Sequence, residues 1–298
     1  MSVSPRPARS RVTAGLRNAL TTQPAARAAA RAARAAACLA LVLAAGSAPV
    51  AVPALPAAVQ NLWSGQTGVA RGRASVVVGH GTAPDLLDDL ARRADLAAGR
   101  VAAVLRQPVR ALVIVPQDAA EAGRLAGLAG AAGLDGLAAV ADRGRVIVVP
   151  GTFARLTPTG RDVVLAHELT HAAAGTGGLP PWLYEGFADY VGYRDAGLAA
   201  PVAAAELAAE VRAGRPPRGL PGPHDFAPGG GDPARLARAY QEAWLACRFI
   251  ASSYGEETLV RLYREARAHG VDRALASAGL TAGSLAAGWR GYVLDELG

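Results

Sequence analysis

The sequence predicts an α+β domain, with a small mixed β-sheet towards its N-terminal half and a mainly helical C-terminal portion. Three observations carry this expectation. The short β-branched runs cluster before residue 150. Apolar residues recur at helical spacing between those runs and after them. A stretch rich in Pro and Gly, residues 214–233, interrupts the helical half.

The 298-residue chain opens with seven Arg and no acid in residues 1–37. An apolar run follows at 38–48, and then Pro49, Pro53 and Pro56. A basic region, a short apolar core and small residues form the layout of a secretory signal peptide. Residues 1–58 are therefore expected to be a signal peptide or an uncleaved N-terminal anchor, with the body outside the cytoplasm. All 31 basic residues are Arg, which with the load of Ala, Gly and Pro reads as a coding bias. Once residues 1–37 are set aside, 24 Arg face 24 Asp plus Glu. A neutral body exerts no bulk attraction on nucleic acid, so that class of partner is excluded. Cys38 lies in the leader and Cys247 is alone in the body, so a processed chain has no internal disulfide. Cys247 sits in an apolar helical segment and is expected to be a buried, inert thiol.

In chain order, 59–73 reads as a linker and 74–298 as the folded domain. The domain divides into an α/β part, 74–175, and a helical part, 176–298. Strands are expected at 74–80, 109–116 and 145–150, where β-branched residues run together. Helices are expected at 85–105 and, more weakly, at 118–132. A further helix begins near Thr159 or Arg161 and ends at Gly175–Gly178. Pro180 and Pro181 open the next, since proline is accepted in a first helical turn. Another covers 203–213, and 234–297 reads as three or four helices.

The chemistry is concentrated in His167-Glu168-Leu169-Thr170-His171. On a helix, His167 and His171 project from one face, one turn apart. Two imidazoles so placed can bind one Zn²⁺, with Glu168 in reach of a water on it. The flanks Val163, Val164, Leu165 and Ala172 are apolar, and burying two His and a Glu without partners would cost several kcal/mol. A catalytic zinc site wants a third protein ligand, and Glu185 is the candidate, fourteen residues beyond His171 across a Gly-rich turn. Asp189 shares its helical face with Glu185 and can accept the second N–H of a ligand histidine.

These residues, followed by Pro181-Trp182-Leu183, Glu185-Gly186-Phe187-Ala188-Asp189-Tyr190, resemble the gluzincin metallopeptidases, in a branch typified by secreted bacterial proteins. The resemblance implies a zincin-like fold and Zn²⁺ held by His167, His171 and Glu185, with Glu168 as general base. It also implies a peptide or protein substrate, paired along an edge strand at 145–149. Residues 239–245 resemble a downstream segment in which a tyrosine hydroxyl stabilises the oxyanion, which makes Tyr240 the candidate for that role. His224, in the Pro/Gly stretch, is a rival donor. No segment for capturing a free N-terminus is present. The alternative is a metal-stabilised envelope or binding protein with little turnover.

Overall fold

The computed structural model describes residues 59, 62–63, 65, 67–128, 134, 136–226 and 233–298. The leader, 1–58, lies outside the described residues. Among the described residues there are five strands, β1 (Thr67–Arg71), β2 (Ser75–His80), β3 (Ala111–Val115), β4 (Ala139–Asp142) and β5 (Arg145–Val148). In space their order is β1-β2-β3-β5-β4. β2, β3 and β5 run parallel, while β1 and β4 pair antiparallel at the two edges.

The helices between the strands are α1 (Pro84–Leu105) and α2 (Ala119–Leu125), and α3 (Pro150–Ala154) follows β5. Then follow α4 (Pro158–Ala174), α5 (Pro181–Tyr193), α6 (Ala200–Ala203) and α7 (Ala205–Arg212). The chain closes with α8 (Pro233–Tyr254), α9 (Glu256–His269), α10 (Val271–Ser277) and α11 (Ala282–Leu297). Among the described residues no helix is long and apolar enough to cross a membrane.

Strand periodicity sorts the side chains into two cores. Val77, Val113 and Val146 face α1 and α4, in the larger core that continues through the helical half. Val78, Ile114, Ile147 and Val140 face the other way, onto α2, Leu134, Leu137 and Val59. Both faces of the sheet are thus covered, which is why its central strands read as continuous apolar runs.

Four expectations are corrected. The stretch 59–73 is not a linker: Val59 is buried and Thr67–Arg71 forms β1. Its sequence, Thr-Gly-Val-Ala-Arg, carries one β-branched apolar residue, so pairing with β2 creates the strand where propensity does not. The strand at 145–148 is not an edge, because β4 covers it. β4 is Ala-Val-Ala-Asp, again poor in strand formers, and it is joined to β5 by the two-residue turn Arg143-Gly144 with φ of 48° and 77°. Two positive φ values make a turn whose twist suits a hairpin, but Arg is a rare residue there and gives no warning. The helix expected over 118–132 ends at Leu125, and the one over 203–213 is broken at Ala204 (φ −114°, ψ 48°).

Two helices position the chemistry. α4 starts where the Thr157 hydroxyl accepts the Gly160 N–H at 3.1 Å and Pro158 takes the first turn. It stops at Gly175, whose φ of 70° suits a residue without a Cβ. Tyr263 of α9 donates its hydroxyl to the Gly175 carbonyl at 2.5 Å, and Arg267 donates to Ala174, so the freed helix-end carbonyls find partners. α5 then packs between α4 and α8. A Cβ on Gly186 would stand 2.2 Å from the Ala243 carbonyl oxygen of α8, closer than any side chain can sit. The glycine of the Glu185-Gly186 pair is therefore a packing requirement.

Candidate metal centre

Helical spacing on α4 and a turn of return on α5 bring three lone-pair atoms together. His167 Nε2 and His171 Nε2 lie 2.9 Å apart. Glu185 Oε2 is 3.2 Å from the first and 3.4 Å from the second. Four ligands at about 2.0–2.1 Å around one tetrahedral ion stand roughly 3.3 Å from one another. The three observed separations bracket that edge length. His167, His171 and Glu185 form a group that could hold a metal ion, and they are 0, 5 and 2 % exposed.

Asp189 lies one helical turn beyond Glu185 on the same face of α5, and its Oδ1 accepts from His167 Nδ1 at 2.7 Å. With a metal at the site and its proton on Nδ1, His167 would present its Nε2 lone pair to the ion. Burial opposes a charged His167, but the Asp189 carboxylate outweighs it and holds the imidazole pKa well above its usual value. Burial pulls the His171 pKa down. Burial alone would raise Glu185, yet hydrogen bonds from His167 and His171 pull its carboxyl down to about 2. Glu185 is thus an anion facing two imidazoles in a water-poor interior. Such a donor set needs a cation more than it needs further hydrogen bonds.

Glu168 is also fully buried, and its Oε2 accepts the Ala141 N–H of β4 at 2.7 Å. Its Oε1 has no hydrogen-bond partner among the described residues. Burial, reinforced by the charge of Glu185, pushes this carboxyl up to about 8 despite the attraction of His167. A carboxylate with one oxygen tethered, the other free, and a strengthened affinity for a proton is equipped as a base. His171 Nδ1 is buried without a partner among the described residues too.

The other expected site residues are placed as follows. Tyr240 lines a small cavity with Asp189, Tyr193, Gln241 and Trp244, and its ring stands edge-on to Phe226 at 5.3 Å. Asp189 and Tyr193, which line that cavity, lie one and two turns along α5 from Glu185. His224 sits on a 3₁₀ turn, Pro223–Phe226, with its side chain 85 % exposed and 3.3 Å from Asp225. Cys247 is a free, buried thiol whose pKa burial raises well above its usual value.

Two neighbours were not singled out by sequence. Ala141 holds Glu168 through its backbone, which no side-chain pattern can reveal. Tyr184 packs edge-on to His171, with ring centroids 5.9 Å apart and planes at 71°. Its signal was its place immediately before Glu185, inside a stretch otherwise read for its ligand.

No known family model matches the chain. No curated protein matches it either.

Proposed function

We propose that the chain is an extracytoplasmic zinc-dependent metallopeptidase with a zincin-like, gluzincin-type site. The observation that carries this reading is the convergence of His167 Nε2, His171 Nε2 and Glu185 Oε2 beside the half-tethered carboxylate of Glu168. Two nitrogens and one carboxylate oxygen are the ligand set of a hydrolytic zinc with an open position. When bound, the zinc supplies Lewis-acid polarisation of a carbonyl and makes water acidic near neutral pH.

The residues of the chain do the rest. Asp189 fixes the tautomer and orientation of His167 through Nδ1. Glu168 takes the proton of the attacking water on Oε1 and passes it to the departing nitrogen, while the Ala141 amide keeps Oε2 in place. β4 is the outer strand of the sheet, and the Ala141 N–H on it goes to Glu168 Oε2. An extended peptide added along that edge would lie beside Glu168, as strand addition requires. The basic leader, 1–58, supports export or N-terminal anchoring of this activity.

The test is elemental analysis of the purified protein joined to a peptide-library digest. The reading expects about one zinc per chain, and hydrolysis that a chelator stops and zinc restores. Protein without stoichiometric metal, or with hydrolysis indifferent to chelation, refutes it.

The exposure of 0–5 % at all three ligands favours a second reading, a metal-stabilised envelope or binding protein. Under that reading metal removal lowers the melting temperature, but no peptide in the library is cleaved.

A further inference from the structure

The peptidase reading leaves one task without an owner. As water adds to a scissile carbonyl, its oxygen gains a full charge, and a fixed donor aimed at that charge lowers the barrier. We infer that the Tyr184 hydroxyl is this donor, an inference that rests on the proposed peptidase activity.

Three observations point to it. First, Tyr184 touches the trio: its ring edge meets His171 at the start of α5, one residue before Glu185. Second, it is half-buried among deeply buried residues. The ligands, Glu168 and Asp189 are 0–5 % exposed, whereas Tyr184 and Ala141 are partly open to solvent. Ala141 stands beside the base and Tyr184 beside a ligand, so the partly open residues touch the buried group at both. Third, its hydroxyl makes no hydrogen bond among the described residues. Tyr263 donates its hydroxyl to the Gly175 carbonyl and Tyr190 donates to Glu256, while Tyr193 lies two turns along α5 from Glu185. Tyr240 lines the small cavity beside Asp189, and His224 is on an exposed turn.

The water oxygen forms a bond to the carbonyl carbon as its proton passes to Glu168 Oε1. The carbonyl π pair moves onto the oxygen, where the Tyr184 O–H donates a hydrogen bond without giving up its proton. Collapse re-forms the C=O, the C–N pair leaves on nitrogen, and nitrogen takes the proton from Glu168. Tyr184 ends as it began.

The experiment compares wild type with Tyr184→Phe and Tyr240→Phe, each zinc-loaded and each checked for zinc content and melting temperature. The phenyl ring is retained, so the contact with His171 stays. The expected result for Tyr184→Phe is unchanged zinc, a kcat lower by about 10²–10³-fold and a KM within a few-fold of wild type. A second readout is independent of turnover. Calorimetry with a phosphinic peptide, whose tetrahedral oxygens imitate the charged intermediate, should show affinity lowered by a similar factor. Binding of the matching amide peptide to Glu168→Gln should be indifferent to adding Tyr184→Phe. Wild-type affinity of Tyr184→Phe for the phosphinic peptide overturns the assignment, as does the same loss in Tyr240→Phe alone. If wild type shows Glu168-dependent hydrolysis and Tyr184→Phe matches it, this inference fails and the peptidase reading stands. If wild type shows no hydrolysis, both fall.

Discussion

Two histidine–carboxylate pairs stand in this molecule with similar geometry and different surroundings. His167 Nδ1 meets Asp189 at 2.7 Å, and His80 Nδ1 meets Glu121 at 3.0 Å. The His167 side chain is wholly buried, and its Nε2 meets two further lone-pair atoms. The His80 side chain is 26 % exposed, and Trp63 stacks on its ring at 5.1 Å with planes 22° apart. The second pair pins the segment around Trp63 to the end of β2. The first aims a ligand. A histidine held by an acid is thus an orienting device in both places, and the company of its other nitrogen decides what it orients for.

Breaking each pair should separate the two roles. The largest effect is expected from His167→Ala, which removes a ligand and should abolish both metal binding and hydrolysis. His80→Ala should keep stoichiometric metal, and elemental analysis of the two purified variants checks both outcomes. Next, Asp189→Asn should weaken metal affinity by about 10–100-fold, read by chelator competition, since it disturbs orientation without removing a ligand. Wild-type affinity in that variant would show that the Nδ1 bond does not tune the site.

Gly186→Ala tests the scaffold beneath the first pair. Its new Cβ has no room against the Ala243 carbonyl, so α5 must shift from α8, at a cost of about 1–3 kcal/mol in denaturant unfolding. Because Glu185 rides on α5, metal affinity should fall with it. The smallest effect belongs to the second pair. Burial raises the Glu121 carboxyl, but the Gln117 N–H and His80 outweigh it and hold its pKa below 4.5. A folded-state value below the unfolded one means that the ionised carboxylate stabilises the fold. That contribution is complete above pH 4.5 and is lost as pH falls through the lower folded value. Glu121→Gln should therefore cost about 1–3 kcal/mol near pH 7, and its melting temperature should converge on wild type in acid. A gap that persists or widens in acid contradicts this.

The same contrast explains what was legible in the sequence. His167, Glu168, His171, Glu185 and Asp189 were readable because helical spacing turns sequence separation into facing side chains. α1, α4 and α5 followed from apolar spacing, prolines in first turns and the Gly175–Gly178 stop. β1 and β4 were not readable, since both hold their place through pairing partners and not through strand-forming residues. With β4 hidden, the hold of the Ala141 amide on Glu168 was hidden too. Tyr240 was chosen by its neighbours in sequence, and its position depends on how α8 lies along α5, which no local pattern encodes. Glu121 was missed as the partner of His80 because the two are 41 residues apart and meet only through the sheet.

On the proposed reading, the metal group and Glu168 form one hydrolytic site. Its most direct test is the rate of peptide-library hydrolysis by zinc-loaded Glu168→Gln beside zinc-loaded wild type. Full metal content is expected in both proteins, with a rate in the variant lower by at least about 10²–10⁴-fold. Equal rates at equal zinc content would contradict it.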